Sequence, residues 1–281
     1  MTDVILINPG ASRAIYQNLS EDLSAIEPPT WLRMNAGWLR DHGHNVEIID
    51  QDAMRWTPRQ VAERVKELNP RLVAIVVAGQ QPSASTQQMA GVRPLLESLR
   101  DRNTIIVGNH ASALPKRTLS EEPVTYVCDG EGPLTLAWLL KFPFYNINYD
   151  PCQSIPGLVW KDITDSIRIN ARAPLLPIDE LHGDVWDLLP MEKYRAHTWQ
   201  CLDGSPRQPY ASIYTTLGCT FKCLAGDTPI NTIYGDIPIR ELAETYGEIG
   251  VPVYTYDPET RRAFIADAIA IRNYGEGQIL V

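Results

Sequence analysis

Two cysteines in the stretch TTLGCTFKC, Cys219 and Cys223, have a type and a spacing that could hold a metal centre. Thiolates are the usual ligands of iron–sulfur clusters, and closely spaced cysteines allow one loop to wrap around a cluster. A third cysteine would be due three positions after Cys223, but that position holds a glycine. Zinc would need two further ligands, for which Cys201 and His197 are the nearest residues, at a spacing that fits no recognised pattern. Two cysteines at this spacing are by themselves weak evidence for a metal site, so the surrounding sequence has to decide.

Composition and charge argue against several classes of protein. The net charge of -9 and the lack of a Lys/Arg-rich stripe disfavour nucleic acid as a partner. No apolar run approaches the roughly 20 residues that a membrane helix needs, and the N-terminus lacks the features of a secretory signal. The five cysteines are few and odd in number, which disfavours a disulfide framework and predicts a reduced, cytoplasmic location.

The first 141 residues alternate between apolar, β-rich runs and segments of helical periodicity. Continuous apolar runs such as LVAIVVAG are typical of strands that are buried on both faces. Their alternation with helices predicts an α/β fold with a five-stranded parallel sheet, flavodoxin- or Rossmann-like, and helices on both faces. The predicted strands are 3–10, 45–50, 72–79, 103–110 and 124–132.

The loops after these strands predict where a ligand would bind, because parallel sheets bind ligands beyond the carboxyl ends of the strands, at a switch in strand order. The loops NPGAS, AGQQPSAS, VGNHAS and DGEGP are rich in Gly, Ser, Asn and Gln, so backbone could approach a ligand closely. Glycine also ends strands that bind nothing, and both interpretations stay open. Asp50 could bind a ribose hydroxyl, but the first loop lacks the Gly-rich fingerprint of dinucleotide sites.

Residues 142–210 differ in character, because proline and tryptophan become frequent and helical periodicity fades. The segment 157–171 predicts a hairpin that turns at DITDS. We interpret 142–210 as a connector that packs against its neighbours, and 211–219 as a new strand.

The run WDLLPMEKYRAHTWQC, followed by PYASIYTTLGCTFKC, resembles the segment that leads into the radical SAM domain of cobalamin-dependent radical SAM enzymes. The N-terminal domain is similar to their cobalamin (B12)-binding domain, and the resemblance covers about residues 1–222. It implies that Cys219 is one of three cysteines holding a [4Fe–4S] cluster, whose open iron binds S-adenosylmethionine. Cleavage of that molecule gives a 5′-deoxyadenosyl radical, and many members of the family use methylcobalamin as a methyl donor.

The same resemblance implies that the loops at the carboxyl ends of the strands hold cobalamin. The D-x-H-x-x-G motif of some B12 proteins is absent after the first strand, so we expect no histidine ligand to cobalt from that loop. His110 lies in another loop and is expected to be structural or to contact the nucleotide tail of the cofactor. The cofactor-binding residues implied are Ser83, Ser85, Gly108, Asn109, His110, Ser112, Gly130, Glu131 and Gly132.

A second resemblance begins at Cys223. The runs CLAGDTPINTIYGDIPI and VPVYTYD are similar to the N-terminal block of an intein, a Hint-type all-β domain. The resemblance implies that Cys223 attacks the carbonyl of Lys222 and converts the amide into a thioester, and it places Asp227 and Thr228 in the same block. In inteins a downstream nucleophile then takes the acyl group and a terminal asparagine cyclises. The activating histidine belongs to a later block, and no histidine follows Cys223 here.

Together the resemblances predict an interrupted enzyme. Only 58 residues follow Cys223, whereas a barrel needs around 200. We expect splicing, with a C-terminal intein half and C-extein as partners in cis or in trans, to bring a new cysteine beside Cys219. The cluster and S-adenosylmethionine would then bind only to the completed protein. The predicted segments are a B12-binding-like domain (1–141), the connector (142–210), the first barrel strand and cluster loop (211–222) and the intein segment (223–281).

Two other functions stay open on the sequence. One is a non-catalytic small-ligand or cobalamin-binding module with a β-rich appendage. The other is a plain cysteine–metal protein in which Cys223 is an ordinary ligand and the tail is an unusual insertion.

Overall fold

A computed structural model describes most of the chain and divides it into two compact units, Met1–Thr215 and Thr216–Val281. The described residues are 2–22, 24–79, 82–141, 151–197, 201, 207–212, 228–246, 250–257 and 262–268.

The first unit is built on a mixed sheet, in which seven strands are seen among the described residues. Their order across the sheet is β2-β1-β3-β4-β5-β6-β7, and the first five are parallel. The strands are β1 (Val4–Asn8), β2 (Val46–Asp50), β3 (Leu72–Val76), β4 (Thr104–Val107), β5 (Tyr126–Cys128), β6 (Leu158–Lys161) and β7 (Ile167–Ile169).

The helices of this unit cover the sheet. Those described are α1 (Ser12–Tyr16), α2 (Leu19–Asp22), α3 (Thr30–Asp41), α4 (Gln51–Met54), α5 (Pro58–Leu68), α6 (Pro82–Ser98), α7 (Asn109–Ala113), α8 (Pro115–Glu121) and α9 (Pro133–Lys141).

Local sequence signals explain where several helices begin and end. At the start of α5, the Thr57 side chain accepts from the Gln60 backbone N–H and Gln60 accepts in return from that of Thr57, a capping box followed by proline. After the end of α3, Gly43 adopts a φ of +83°, the left-handed conformation that glycine commonly provides after a helix. Helix α6 contains Pro94 in its interior.

The parallel α/β fold predicted from the alternating pattern is confirmed, and the sheet is larger than the five predicted strands. The predicted hairpin forms β6 and β7, and β6 pairs antiparallel with β5, placing Leu158 opposite Cys128. Valine and isoleucine at these edge positions, including the fully buried Val159, make the hairpin part of the hydrophobic core. The hairpin within the connector is therefore an extension of the sheet.

The core of the first unit lies between the central strands and the helices α5 and α6. Strands β1 and β3 are buried along their whole length, as expected for central parallel strands. A smaller cluster is formed by Ala53, Leu189 and the fully buried Tyr194, so connector residues also pack on the domain.

The second unit contains a small antiparallel sheet of order β11-β10-β8-β9 and one described helix, α10 (Ile239–Thr245). Its strands are β8 (Pro229–Thr232), β9 (Gly235–Pro238), β10 (Val251–Asp257) and β11 (Arg262–Ala268). This confirms a small antiparallel β segment after residue 223. The predicted strand 211–219 lies outside the described residues from position 213 onward.

Candidate functional site

The carboxyl ends of the parallel strands form the edge at which chemistry is expected. The strand order places β1 between β2 and β3. The connection after β1 leads to β2 on one side and the connection after β3 leads to β4 on the other, so the topological switch lies between β1 and β3. Such a switch opens a crevice beyond the strand ends. The edge has two halves with different properties: the β1/β2 half and the β3/β4/β5 half.

In the β1/β2 half, the loop after β1 is bound by side chains of α4. The Gly10 backbone N–H donates to Gln51 Oε1 over 3.1 Å, and the Ser12 N–H donates to Asp52 Oδ1 over 3.2 Å. Helix α6 comes so close that a Cβ on Gly91 would lie 2.9 Å from the Gly10 carbonyl. The N–H groups of Gly10 and Ser12, which a dinucleotide site would offer to phosphate, are therefore already engaged.

Asp50 is the centre of a buried polar network in the same half. Its Oδ1 accepts from Asn8 Nδ2 at 2.8 Å and from the Ala53 backbone N–H at 3.0 Å, and its Oδ2 accepts from the Tyr194 hydroxyl at 2.8 Å. Burial raises the pKa of Asp50 to about 6, although each of these donors acts in the opposite direction. The pKa of Tyr194 is also raised, first by burial and then by the Asp50 charge. Since both oxygens are engaged inside the protein, Asp50 has no role in binding a ribose.

Arg33 joins α3 to the connector. Its side chain is buried, with Nε donating to the Gly183 carbonyl and Nη1 to the Ser212 carbonyl, both at 3.2 Å. The guanidinium carbon lies 3.4 Å from the centre of the Trp186 ring, a cation–π contact. Burial lowers the pKa of Arg33. The β1/β2 half is thus closed by connector residues that share its buried polar groups.

In the β3/β4/β5 half, backbone is brought together by glycine. Gly108 ends β4 with a φ of +130°, and a Cβ there would lie 2.0 Å from the Val77 carbonyl oxygen. Only glycine allows the ends of β3 and β4 to approach this closely. Next to it, the buried Ser85 accepts from the Gly79 N–H at 3.0 Å and so fixes the loop after β3.

Helix α7 and the loop after β5 place the remaining predicted contacts on this half. The Ser112 hydroxyl donates to the Gly130 carbonyl at 3.1 Å and accepts from the Gly130 N–H at 3.0 Å. Asn35 Nδ2 donates to the Glu131 carbonyl at 3.3 Å, and a Cβ on Gly132 would lie 2.3 Å from Asn35 Oδ1. At Gly130, by contrast, a Cβ would meet no atom within 4 Å, so this backbone faces open space.

Asn109 is exposed and His110 is half-buried at the start of α7. The Nδ1 atom of His110 lies 3.2 Å from the Thr86 hydroxyl, and burial, followed by the charge of Arg117, lowers the pKa of the imidazole. The hydrogen bond to Thr86 is compatible with a structural role for His110, and its contact with the nucleotide tail of the cofactor stays a prediction.

The structure therefore brings most of the predicted cofactor-binding residues to one half of one edge. Those whose surroundings are described are Ser85, Gly108, Asn109, His110, Ser112, Gly130, Glu131 and Gly132; the side chain of Ser83 lies outside the described residues. Pattern reading missed the residues that close the other half, because nothing in local sequence marks Tyr194 or Arg33 as partners of distant positions.

The residues predicted for metal binding and splicing lie mostly outside the described part of the chain: Cys219, Lys222, Cys223 and Asp227. Thr228 is half-buried, and its carbonyl accepts from the Ile239 N–H at 2.9 Å. Within the described ranges, no group of three or more His, Cys, Asp or Glu residues is arranged to hold a metal ion. Cys128 is fully buried in the core, and burial raises the pKa of its thiol to about 12.

Residues 21–140 match the model of the B12-binding domain family, which covers less than half of the chain but includes β2 to β5 and nearly all of α9. The chain therefore contains a B12-binding domain. No helix within the described ranges is long and apolar enough to span a membrane.

Two curated proteins are similar in sequence. The uncharacterized methyltransferase PH0819 of Pyrococcus horikoshii is 27% identical over 79% of this chain and 44% of its own length. The anaerobic magnesium-protoporphyrin IX monomethyl ester cyclase of Synechocystis is 28% identical over 59% of this chain and 33% of its own length. The chain thus spans less than half the length of either relative.

Similar solved structures include two radical S-adenosylmethionine enzymes. OxsB with aqua-cobalamin and S-adenosylmethionine bound has a TM-score of 0.45 at 17% identity, covering 62% of this chain and 23% of that one. The radical S-adenosylmethionine methyltransferase TsrM from Kitasatospora setae has a TM-score of 0.46 at 20% identity, covering 60% of this chain and 30% of that one.

Proposed function

We propose that this chain, whose residues 21–140 form a B12-binding domain, is the cofactor-binding part of a cobalamin-dependent radical SAM enzyme interrupted by the start of an intein. The match to the B12-binding domain family is the observation that carries the first part of this proposal. The similarity to PH0819, named a methyltransferase, favours methyl transfer as the reaction class of the completed protein.

The β3/β4/β5 half of the edge fits cobalamin. The open space at Gly130, the exposed Asn109 and the half-buried Ser112 and Glu131 leave backbone and small polar groups accessible to a broad ligand rimmed with amides. Ser83, Ser85, Gly108, His110 and Gly132 would complete the contacts. Bound cobalamin would supply a cobalt centre able to carry a methyl group, while the protein orients the ligand and excludes water.

Cobalamin binding is tested by titrating aquocobalamin into the full chain and following the visible absorption of the corrin. Asn109→Trp would place a bulky side chain on the proposed edge and is expected to abolish or strongly weaken binding. Glu63→Trp, on the exposed face of α5, is the matched control and should bind like the wild type. An unchanged corrin spectrum with the wild-type chain would contradict the proposal. Equal binding by both tryptophan variants would exclude this half of the edge.

The intein part of the proposal depends on sequence. The runs CLAGDT, GDIPI and VYTYD support it, and the small antiparallel sheet of the second unit is compatible with an all-β Hint-type segment. Cys223 Sγ would bond to the Lys222 carbonyl carbon while the C–N bond between the two residues breaks and frees the Cys223 amine. Asp227 and Thr228 would belong to the same block.

Splicing chemistry is tested by mass spectrometry. The full chain is incubated with a strong external thiol and with the missing C-terminal part of the intein supplied in trans. A product that ends at Lys222 is expected, and Cys223→Ala should prevent its formation. Retention of the intact mass under all conditions would refute the intein proposal and leave the cobalamin proposal unaffected.

The cluster is proposed for the spliced protein only. Cys219 would be one ligand, and the chain itself lacks the third cysteine of the motif. Anaerobic reconstitution with iron and sulfide is therefore expected to give little stable cluster. A stoichiometric [4Fe–4S] cluster on the unspliced chain would show instead that Cys223 is a metal ligand.

A further inference from the structure

The segment 171–177, here called the strap, follows the hairpin and returns to the candidate edge. Strand β6 starts at the carboxyl edge opposite Cys128 and runs away from it, and β7 runs back. Because the hairpin adds two strands, the chain leaves β7 at the same edge where β5 ends. The Ala171 carbonyl accepts from the Gly157 N–H at 2.7 Å, which fixes the start of the strap there.

Arg172, in the strap, links the ends of two parallel strands. Its Nε donates to Asp129 Oδ1 at 2.8 Å, and Nη2 lies 2.7 Å from the same oxygen. Nη2 also donates to the Ser112 carbonyl at 3.2 Å. Asp129 directly follows β5, and Ser112 lies in α7 after β4. One guanidinium therefore holds the two loops that carry most of the proposed cobalamin contacts.

The surroundings of the Arg172–Asp129 contact allow it to restrain the neighbouring loops. The Asp129 side chain is only 8% exposed, so solvent screens the pair less than an ordinary surface ion pair. Ser112 in turn bonds both backbone groups of Gly130, and the Leu176 N–H lies 3.4 Å from Glu131 Oε2. Loss of Arg172 would leave Asp129 buried with weaker compensation and would free Ser112, Gly130 and Glu131 to move.

We propose that Arg172 is a positioning residue that preorganises the α7 and β5 loops for cobalamin and slows release of the bound cofactor. The proposal rests on the proposed function and adds the connector to the machinery of the cofactor site. Preorganisation raises affinity by removing the cost of ordering loops on binding, and effects of this kind are found mainly in the dissociation rate.

Three variants of the full chain test this role by aquocobalamin titration and by displacement kinetics. Arg172→Gln is expected to raise Kd about tenfold through faster release. Arg172→Lys should recover part of the affinity, because an ammonium can pair with Asp129 but lacks the fork that also reaches Ser112. Arg168→Gln removes the same charge from an arginine whose side chain is 58% exposed and pairs with Asp162 of the hairpin, and this variant should bind within about twofold of the wild type.

Long-range electrostatics and positioning predict opposite effects of Arg172→Gln on cobalamin affinity. Aquocobalamin is a cation, so removal of a positive side chain would favour binding if long-range charge alone were involved. Weaker binding by Arg172→Gln, with normal binding by Arg168→Gln, therefore reports positioning. Hydrogen exchange without ligand gives a second readout: Arg172→Gln should speed exchange at residues 109–113 and 129–132, whereas Arg168→Gln should not.

The outcomes separate the two proposals. If the wild type does not bind cobalamin, the proposed function fails and this inference fails with it. If the wild type binds and Arg172→Gln binds with equal affinity and release rate, the positioning role alone is overturned. Should Arg172→Gln unfold, Arg172→Lys decides: retention of the full wild-type affinity and unchanged loop exchange would also overturn it.

Discussion

The two halves of the carboxyl edge differ in what satisfies their polar groups. In the β1/β2 half, Asp50 has donors on both oxygens, one of them Tyr194 from the connector, and the loop N–H groups of Gly10 and Ser12 are taken by α4. In the β3/β4/β5 half, Gly130 faces open space and Asn109 is exposed. In the β1/β2 half these polar groups are hydrogen-bonded within the protein, whereas the β3/β4/β5 half retains accessible backbone. The difference favours the β3/β4/β5 half as the proposed ligand site, whereas glycine content does not distinguish the halves because both contain glycine.

The comparison of the two halves predicts how substitutions in each should change stability. The stability of the first unit can be measured separately. All seven tryptophans lie before residue 216. Tryptophan fluorescence during urea unfolding of the full chain therefore reports on the unit that contains the edge.

Gly108→Ala is expected to have the largest effect. Its Cβ would lie 2.0 Å from the Val77 carbonyl oxygen, and neither backbone can withdraw without separating β3 from β4. We expect the free energy of unfolding to fall by about 4 kcal/mol or more. Gly130→Ala is the matched control, with a φ of +150° but no atom within 4 Å of its Cβ, and should cost only the backbone strain of about 1–3 kcal/mol. Equal losses in the free energy of unfolding for the two variants would mean that the close approach of Gly108 to Val77 does not determine the stability of this half.

Asp50→Asn should change how stability depends on pH. Asp50 has a pKa of about 6 in the fold against 3.8 unfolded, so the fold holds a proton that the unfolded chain has lost between these values. Its contribution is full below about pH 4 and is lost as pH rises to about 6, a change of up to about 3 kcal/mol. The difference in unfolding free energy between Asp50→Asn and the wild type should therefore shift in favour of the variant over this window. A difference that does not vary with pH would contradict the buried environment assigned to Asp50.

Tyr194→Phe tests how firmly the connector closes the β1/β2 half. The change removes one donor to the buried carboxylate and leaves the ring, so we expect a loss of about 2 kcal/mol at neutral pH. In the Asp50→Asn background the loss should fall to about 1 kcal/mol, because the bond then joins neutral groups. Exposed Tyr16→Phe is the control and should have no measurable effect. Additive losses in the double variant would break the proposed link between Tyr194 and Asp50.

The same comparison shows why part of the site could be predicted from sequence and part could not. The glycines and serines of the β3/β4/β5 half follow their strands directly, so locating the strands located them. Tyr194 lies 144 residues from Asp50, and Arg172 lies 43 residues from Asp129. Such contacts depend on how the connector folds back, which local periodicity does not encode. Alternation and turn residues predict the hairpin, but its pairing with β5 is a tertiary contact that they do not encode.

His110→Ala is expected to have the smallest effect, although His110 is next but one to Gly108. The half-buried ring has the Thr86 hydroxyl as its described hydrogen-bond partner, so the loss at pH 8 should be about 0.5 kcal/mol. Burial lowers the pKa of His110 below 6.5 in the fold. The unfolded chain is therefore protonated first as pH falls, and the wild type loses stability relative to His110→Ala below about pH 6.5. If the open half is reserved for a ligand, side chains there should matter little to the ligand-free fold. If His110→Ala lowers the free energy of unfolding as much as Tyr194→Phe does, then His110 stabilises the β3/β4/β5 half as Tyr194 stabilises the β1/β2 half. The two halves would then not differ in how their polar groups are satisfied.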